Sequence, residues 1–137
     1  MTTPLLLDTC AALWMVAGNI PARALEALDL AYKAGKTTFV SPITAWEVAL
    51  LADKRRFGSS YSPERWFDRL LSCPGVALAA CSPAILMQAW NLPRVLSRDP
   101  ADRILAATAR EFGLTVVTRD DKLLDYGRQG YISVLPC

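Results

Sequence analysis

Short apolar runs alternate with longer stretches of helical periodicity along this chain. The runs at Leu5–Leu7, Thr38–Val40, Val76–Ala79, Thr115–Thr118 and Ile132–Leu135 are brief, mostly apolar and bounded by polar or turn-forming residues, which predicts strands. Between them, helices are predicted near Thr9–Ala17, Ala22–Ala34, Pro42–Lys54, Pro63–Ser72, Pro83–Asn91 and Pro100–Phe112. Strands alternating with helices predict an α/β fold built on a mainly parallel sheet. No internal repeat, low-complexity segment or long linker interrupts the alternation. Residues 1–137 are therefore expected to form one domain with a sizeable core.

Four of these helices mark their own starts. Ser41-Pro42, Ser62-Pro63, Ser82-Pro83 and Asp99-Pro100 each set a side-chain acceptor before a proline. The Ser or Asp oxygen takes a hydrogen bond from the first turn. The proline lacks an N–H that would have gone unpaired at that position anyway.

Composition narrows the class. With 53% hydrophobic and 20% charged residues, the chain suits a compact folded protein and not a disordered one. No apolar run approaches the ~18 residues of a membrane span. The N-terminus lacks a basic leader and Asp8 interrupts its apolar stretch, so neither a membrane anchor nor a signal peptide is expected. Cys10, Cys73, Cys81 and Cys137 are scattered without a CxxC pair, and the chain has no histidine. Zinc is not expected, a reducing cytoplasm is, and all four cysteines read as free buried thiols.

Net charge is only +2, but arginine supplies most of the 15 basic residues. Lys54, Arg55 and Arg56 are adjacent, and Arg94, Arg98, Arg103 and Arg119 fall near acids of interest. Singly, each reads as solvated surface charge. The planar guanidinium fork nevertheless suits phosphate.

Four acids stand where solvated surface acids are not expected. Asp8 sits between "PLLL" and an apolar continuation, directly after the first strand, where it can also cap the helix starting at Thr9. Glu47 shares the spacing of Ile43, Leu50 and Leu51, the core-facing stripe of a helix. Asp102 shares a stripe with Leu105, Ala106 and Ala109, although at the third helical position it can also favour the helix dipole. Asp120 follows the strand "LTVVT" and, with Asp121, can equally form a turn or cap. Asp99 is accounted for as the cap before Pro100. In open α/β sheets, ligands bind at the carboxyl ends of strands, where Asp8 and Asp120 lie. If all four converge, each like-charged pair at roughly 4 Å costs about 4 kcal/mol at an effective dielectric of ~20. Such a cluster takes up protons or binds cations, and oxygen donors without His or Cys select Mg²⁺ or Mn²⁺.

Taken together, "LLLDTCAALW", "VSPITAWEVALL" and "DPADRILAATAREFGLTVVTRD" resemble the PIN domain, and within it the VapC-like toxins of bacterial toxin–antitoxin pairs. The likeness spans nearly the whole chain. It implies a three-layer fold with a five-stranded sheet in the order 3-2-1-4-5, flanked by helices. Asp8, Glu47, Asp102 and Asp120 match the family's catalytic acids, with Asp8 and Asp102 the direct Mg²⁺ ligands and Thr9 and Thr118 hydroxyls that orient carboxylates. The resemblance further implies RNA as substrate, a homodimer and an antitoxin partner covering the site. It identifies no substrate-binding residue. One departure is Ser97, where many relatives carry His.

The expected function is thus Mg²⁺-dependent endoribonuclease activity. Setting the four acids aside leaves nine acids against 15 basic residues, a surplus that suits an RNA backbone. A catalytically silent PIN-fold module that binds RNA or protein is the alternative, but it has no need of all four acids. A phosphoaspartyl hydrolase needs a second Asp where this chain has Cys10. Trp46, Trp66 and Trp90 read first as core residues, with partner contact as the other role.

Overall fold

The computed structural model describes residues 3–94 and 96–137. Five parallel strands, β1 (Leu5–Leu7), β2 (Thr38–Val40), β3 (Val76–Leu78), β4 (Thr115–Thr118) and β5 (Ser133–Pro136), form one sheet in the order β3-β2-β1-β4-β5. Around it lie α1 (Thr9–Ala17), α2 (Ala22–Lys33), α3 (Pro42–Asp53), α4 (Pro63–Leu71), α5 (Pro83–Trp90), α6 (Pro100–Phe112) and α7 (Asp121–Arg128). The expected strand order and parallel pairing are found.

The sheet is covered on both faces, which is why β1 reads as an unbroken apolar run. Side chains alternate across the strand. Leu5 and Leu7 enter one core with Ala11, Ala24, Trp66 and Leu70, from α1, α2 and α4. Leu6 enters the other with Leu105 and Ala106 of α6 and Leu123 and Tyr126 of α7. β1 registers with β2 on one side (Leu7 opposite Val40) and β4 on the other (Leu7 opposite Val117). The crevice between β1 and β4, where the order of connection reverses, opens at their carboxyl ends.

All four Ser/Asp-Pro starts are real caps. Ser41, Ser62, Ser82 and Asp99 accept from the N–H groups of Ile43, Arg65, Ile85 and Ala101 at 3.1, 3.2, 3.3 and 3.0 Å.

The sequence reading needs correction in four places. Residues 121–128, read as no more than a turn or cap at Asp120 and Asp121, form α7. Gly127 disguises this helix. A Cβ there would meet Val134 Cγ2 at 2.5 Å, so the glycine lets α7 lie close against β5. Trp66 is buried as expected, but Trp46 and Trp90 are 70% and 78% exposed. The buried side of α3 is Thr44 and Val48, and that of α5 is Ile85 and Ala89, which turns both indoles outward. The same rotation exposes Leu50, although Ile43 at the other end of the expected stripe packs against the core and Glu47 and Leu51 are partly buried. Finally, Cys10 is exposed, and Cys73, Cys81 and Cys137 are only partly buried; none is a fully buried thiol. No described helix is long and apolar enough to cross a membrane.

Candidate active site

β1 ends at Leu7, but the Asp8 N–H still bonds the Val117 carbonyl at 3.2 Å and keeps the residue in the ladder. Asp8 then starts α1. One carboxylate oxygen accepts from the Ala11 N–H at 2.8 Å, and the other accepts from the Thr118 hydroxyl at 2.5 Å. Capping and site membership are therefore two uses of the same carboxylate, which is only 6% exposed. The Thr118 hydroxyl accepts in turn from the Asp120 N–H at 3.0 Å, joining the ends of β1 and β4 through one side chain. Asp120 caps α7 with its Oδ1, accepting from Lys122 and Leu123, and its Oδ2 takes no hydrogen bond from a described residue.

The other two acids come from helices. Glu47, half-buried on α3, accepts a short hydrogen bond from the Thr9 hydroxyl, which also pairs with Thr44 at 3.1 Å. Asp102 is buried in the first turn of α6. The Ser97 hydroxyl accepts from the Asp99 N–H at 3.0 Å and lies near enough to the Asp102 carboxylate to favour its charged form.

These side chains meet in a cleft of about 190 Å³ whose walls include Asp8, Glu47, Asp102 and Asp120 together with Thr9, Cys10, Leu105 and Arg119. All four predicted acids are brought together, and Thr9 and Thr118 hold Glu47 and Asp8 respectively. Sequence reasoning missed a fifth acid. Asp99 caps its helix as expected, yet it also lines the cleft. Its position three residues before Asp102, on the same helix turn, was the available signal. A larger hollow of about 580 Å³ between α5 and α6, walled by Leu86, Trp90 and Ile104, carries no acid.

The cleft is short of positive charge, and its groups titrate accordingly. Burial raises the pKa of Asp8, against the lowering effects of the Thr118 and Ala11 hydrogen bonds. Burial likewise raises Glu47, helped by Asp99 and Asp8. Asp102 is pushed up to about 7 by burial, then by Asp120 and Asp99. Burial and the surrounding carboxylates also raise the Cys10 thiol, which keeps it protonated and leaves the donor set to oxygen. That set fits a hard divalent cation. Among the described residues no three acidic or thiol side chains converge tightly enough to cage an ion unaided.

The pKa of Asp102 fixes a sign for the metal-free protein. Its folded value lies above its ordinary value of 3.8, so the unfolded chain releases this proton first. The stabilisation is fully present below pH ~4 and is lost as pH rises through about 7. Metal-free melting temperature is expected to fall between about pH 4 and 7, and added Mg²⁺ to raise it more at the upper end. Melts in chelator across that range check this; a metal-free protein that gains stability on going from acid to neutral pH would contradict it.

Comparison with known proteins agrees with this geometry. Residues 5–129 match the PIN domain model. Ribonuclease VapC22 of Mycobacterium tuberculosis is 32% identical over 121 residues, covering 88% of this chain and 90% of that protein. Among solved structures, VapBC2 of Rickettsia felis, bound to a promoter DNA fragment, superposes with a TM-score of 0.70 at 17% identity, covering 98% of each chain. FitAcB of Neisseria gonorrhoeae gives 0.57 at 21% identity, covering 96% of each.

Proposed function

The chain belongs to the PIN-domain family, in its VapC-like branch, and on that premise we propose that it is a Mg²⁺-dependent endoribonuclease, the toxin of a toxin–antitoxin pair. The observation that carries this reading is the gathering of Asp8, Glu47, Asp102 and Asp120 in one cleft at the carboxyl ends of β1 and β4. The similarity to a named ribonuclease over most of both chains supports it.

Asp8 and Asp102 are the direct holders of Mg²⁺, or of Mn²⁺ in its place. An ion held there would supply Lewis-acid chemistry, polarising a phosphoryl oxygen and lowering the pKa of an attacking water. The protein supplies orientation. Thr118 and the Ala11 N–H fix both oxygens of Asp8, and Ser97 stands beside Asp102. Thr9 turns Glu47 toward the cleft, where Glu47 and the free oxygen of Asp120 complete the donor set for water or a second ion. Such outer hydrogen bonds are usually worth 10–100-fold in metal affinity or activity, on the order seen in other metal sites. Ser97 supplies no imidazole, so any substrate contact made by His in relatives is absent at this position.

A homodimer and a covering antitoxin belong to the same proposal. The exposed indole of Trp46 on α3, and on α5 that of Trp90 with the exposed Met87 one turn before it, give apolar surface for such contacts. The exposed Lys54–Arg56 cluster lies at the far end of α3, about 10 Å along the helix from Glu47 at ~1.5 Å per residue. Replacing all three residues with Ala should flatten the salt dependence of RNA binding by about 2, at ~0.7 per single-strand phosphate contact. An unchanged slope would return them to ordinary surface charge.

The function itself is tested by mapping RNA 5′ ends after the protein is expressed without its partner. New ends at defined sites, absent when Asp8→Asn is expressed, are the expected result. An end pattern identical in both would favour the silent binding module.

A further inference from the structure

We propose that Arg119 is a substrate-binding residue that grips an RNA phosphate at the mouth of the cleft, held in readiness by Trp14; this rests on the ribonuclease reading above. Arg119 is the one cation among the described residues that line the acid cleft. It neighbours Asp120 in sequence, yet it makes no ion pair: the only one among the described residues joins Arg128 to Asp125. Its stem is restrained instead. The guanidinium carbon stands 4.2 Å from the centroid of the Trp14 ring, and Nε donates to the Cys137 carbonyl at 3.4 Å. Neither terminal nitrogen has an acceptor among the described residues.

A guanidinium fixed along its face and at Nε, with its outer fork open, is prepared for a bidentate oxyanion. Ordering it beforehand lowers the entropy lost on binding. The electrostatics call for such a group. RNA must bring a phosphate beside five carboxyl side chains, and among the described residues no other basic one lines the cleft. Arg103 shows the contrast. Its nitrogens are taken up by the carbonyls of Ala89, Trp90 and Ser97 at 2.9, 2.7 and 3.2 Å, so it binds the protein to itself and has no fork to offer.

The test uses a short single-stranded RNA with Arg119→Gln, Arg119→Lys and Trp14→Leu, each checked by thermal melt. In chelator, Arg119→Gln should flatten the salt dependence of RNA binding by about 0.7, the contribution of one single-strand phosphate contact. Arg119→Lys should keep the slope. With Mg²⁺, Arg119→Gln should raise KM about tenfold with kcat nearly unchanged, Arg119→Lys should recover part of that, and Trp14→Leu should raise KM by less. Unchanged slope and KM in folded Arg119→Gln overturn the inference, as does a loss of kcat at constant KM, or a loss confined to antitoxin binding. If the parent cleaves no RNA yet the slope falls, the phosphate grip stands and the nuclease reading fails. Should Arg119→Gln not fold, Arg119→Lys decides through KM: a value equal to the parent's removes the role of the fork.

Discussion

Asp8→Asn is expected to reduce RNA cleavage to background while leaving the protein folded. The substitution removes a charge and almost nothing else. An Asn carbonyl oxygen can still accept from the Ala11 N–H and cap α1. The Thr118 hydroxyl, which now donates to Asp8, can rotate to accept from the amide, since it has two lone pairs and the Asp120 N–H uses one. The ionised Asp8 is disfavoured in the metal-free protein, because burial and Asp120 both oppose its charge. Neutralising it should leave metal-free stability unchanged or raised. On the proposed reading, cleavage falls because the carboxylate that would hold the metal at the end of β1 has gone. Undiminished cleavage, or undiminished toxicity on expression, would remove Asp8 from the chemistry.

The second large effect separates two aspartates three residues apart. Asp102→Asn is expected to lose activity at little cost to metal-free stability, and Mg²⁺ should not raise its melting temperature, as it is expected to in the parent. Asp102 is buried on the face of α6 that looks into the cleft, and its raised pKa shows how poorly its charge is compensated there. Asp99 behaves differently. It caps α6 through the Ala101 N–H, and Asp99→Ala should cost about 1 kcal/mol of stability. Asp99→Ser should restore most of that, with substantial activity in both variants. Asp99 also lines the cleft beside Asp102, so a moderate loss of Mg²⁺ affinity in Asp99→Ser fits the geometry. An inactive, stable Asp99→Ser beside an active Asp102→Asn would reverse the roles.

The residues explain what the sequence could and could not convey. The strands and the four Ser/Asp-Pro caps are local features, set by apolar runs and by one hydrogen bond each. They were legible for that reason. The acids were legible as anomalies, and the resemblance supplied the strand order that makes β1 and β4 neighbours. What escaped depends on rotation and on distance. α3 is apolar nearly all round, from Ile43 to Leu51, so periodicity did not reveal that Thr44 and Val48 face inward and Trp46 outward. α7 was hidden by a glycine whose reason is Val134, seven residues away. Asp99 had a complete local explanation as a cap, and only the folded chain brings that cap into the cleft.

The central claim is that this carboxylate cleft cuts RNA when it holds a divalent cation. It is tested most directly by titrating Mg²⁺ into purified, partner-free protein and Asp8→Asn, each with a defined RNA. The account predicts saturable, chelator-reversible cleavage by the parent and none by the variant at any Mg²⁺ concentration. Cleavage that persists in chelator, or that is equal in the two proteins, would contradict it.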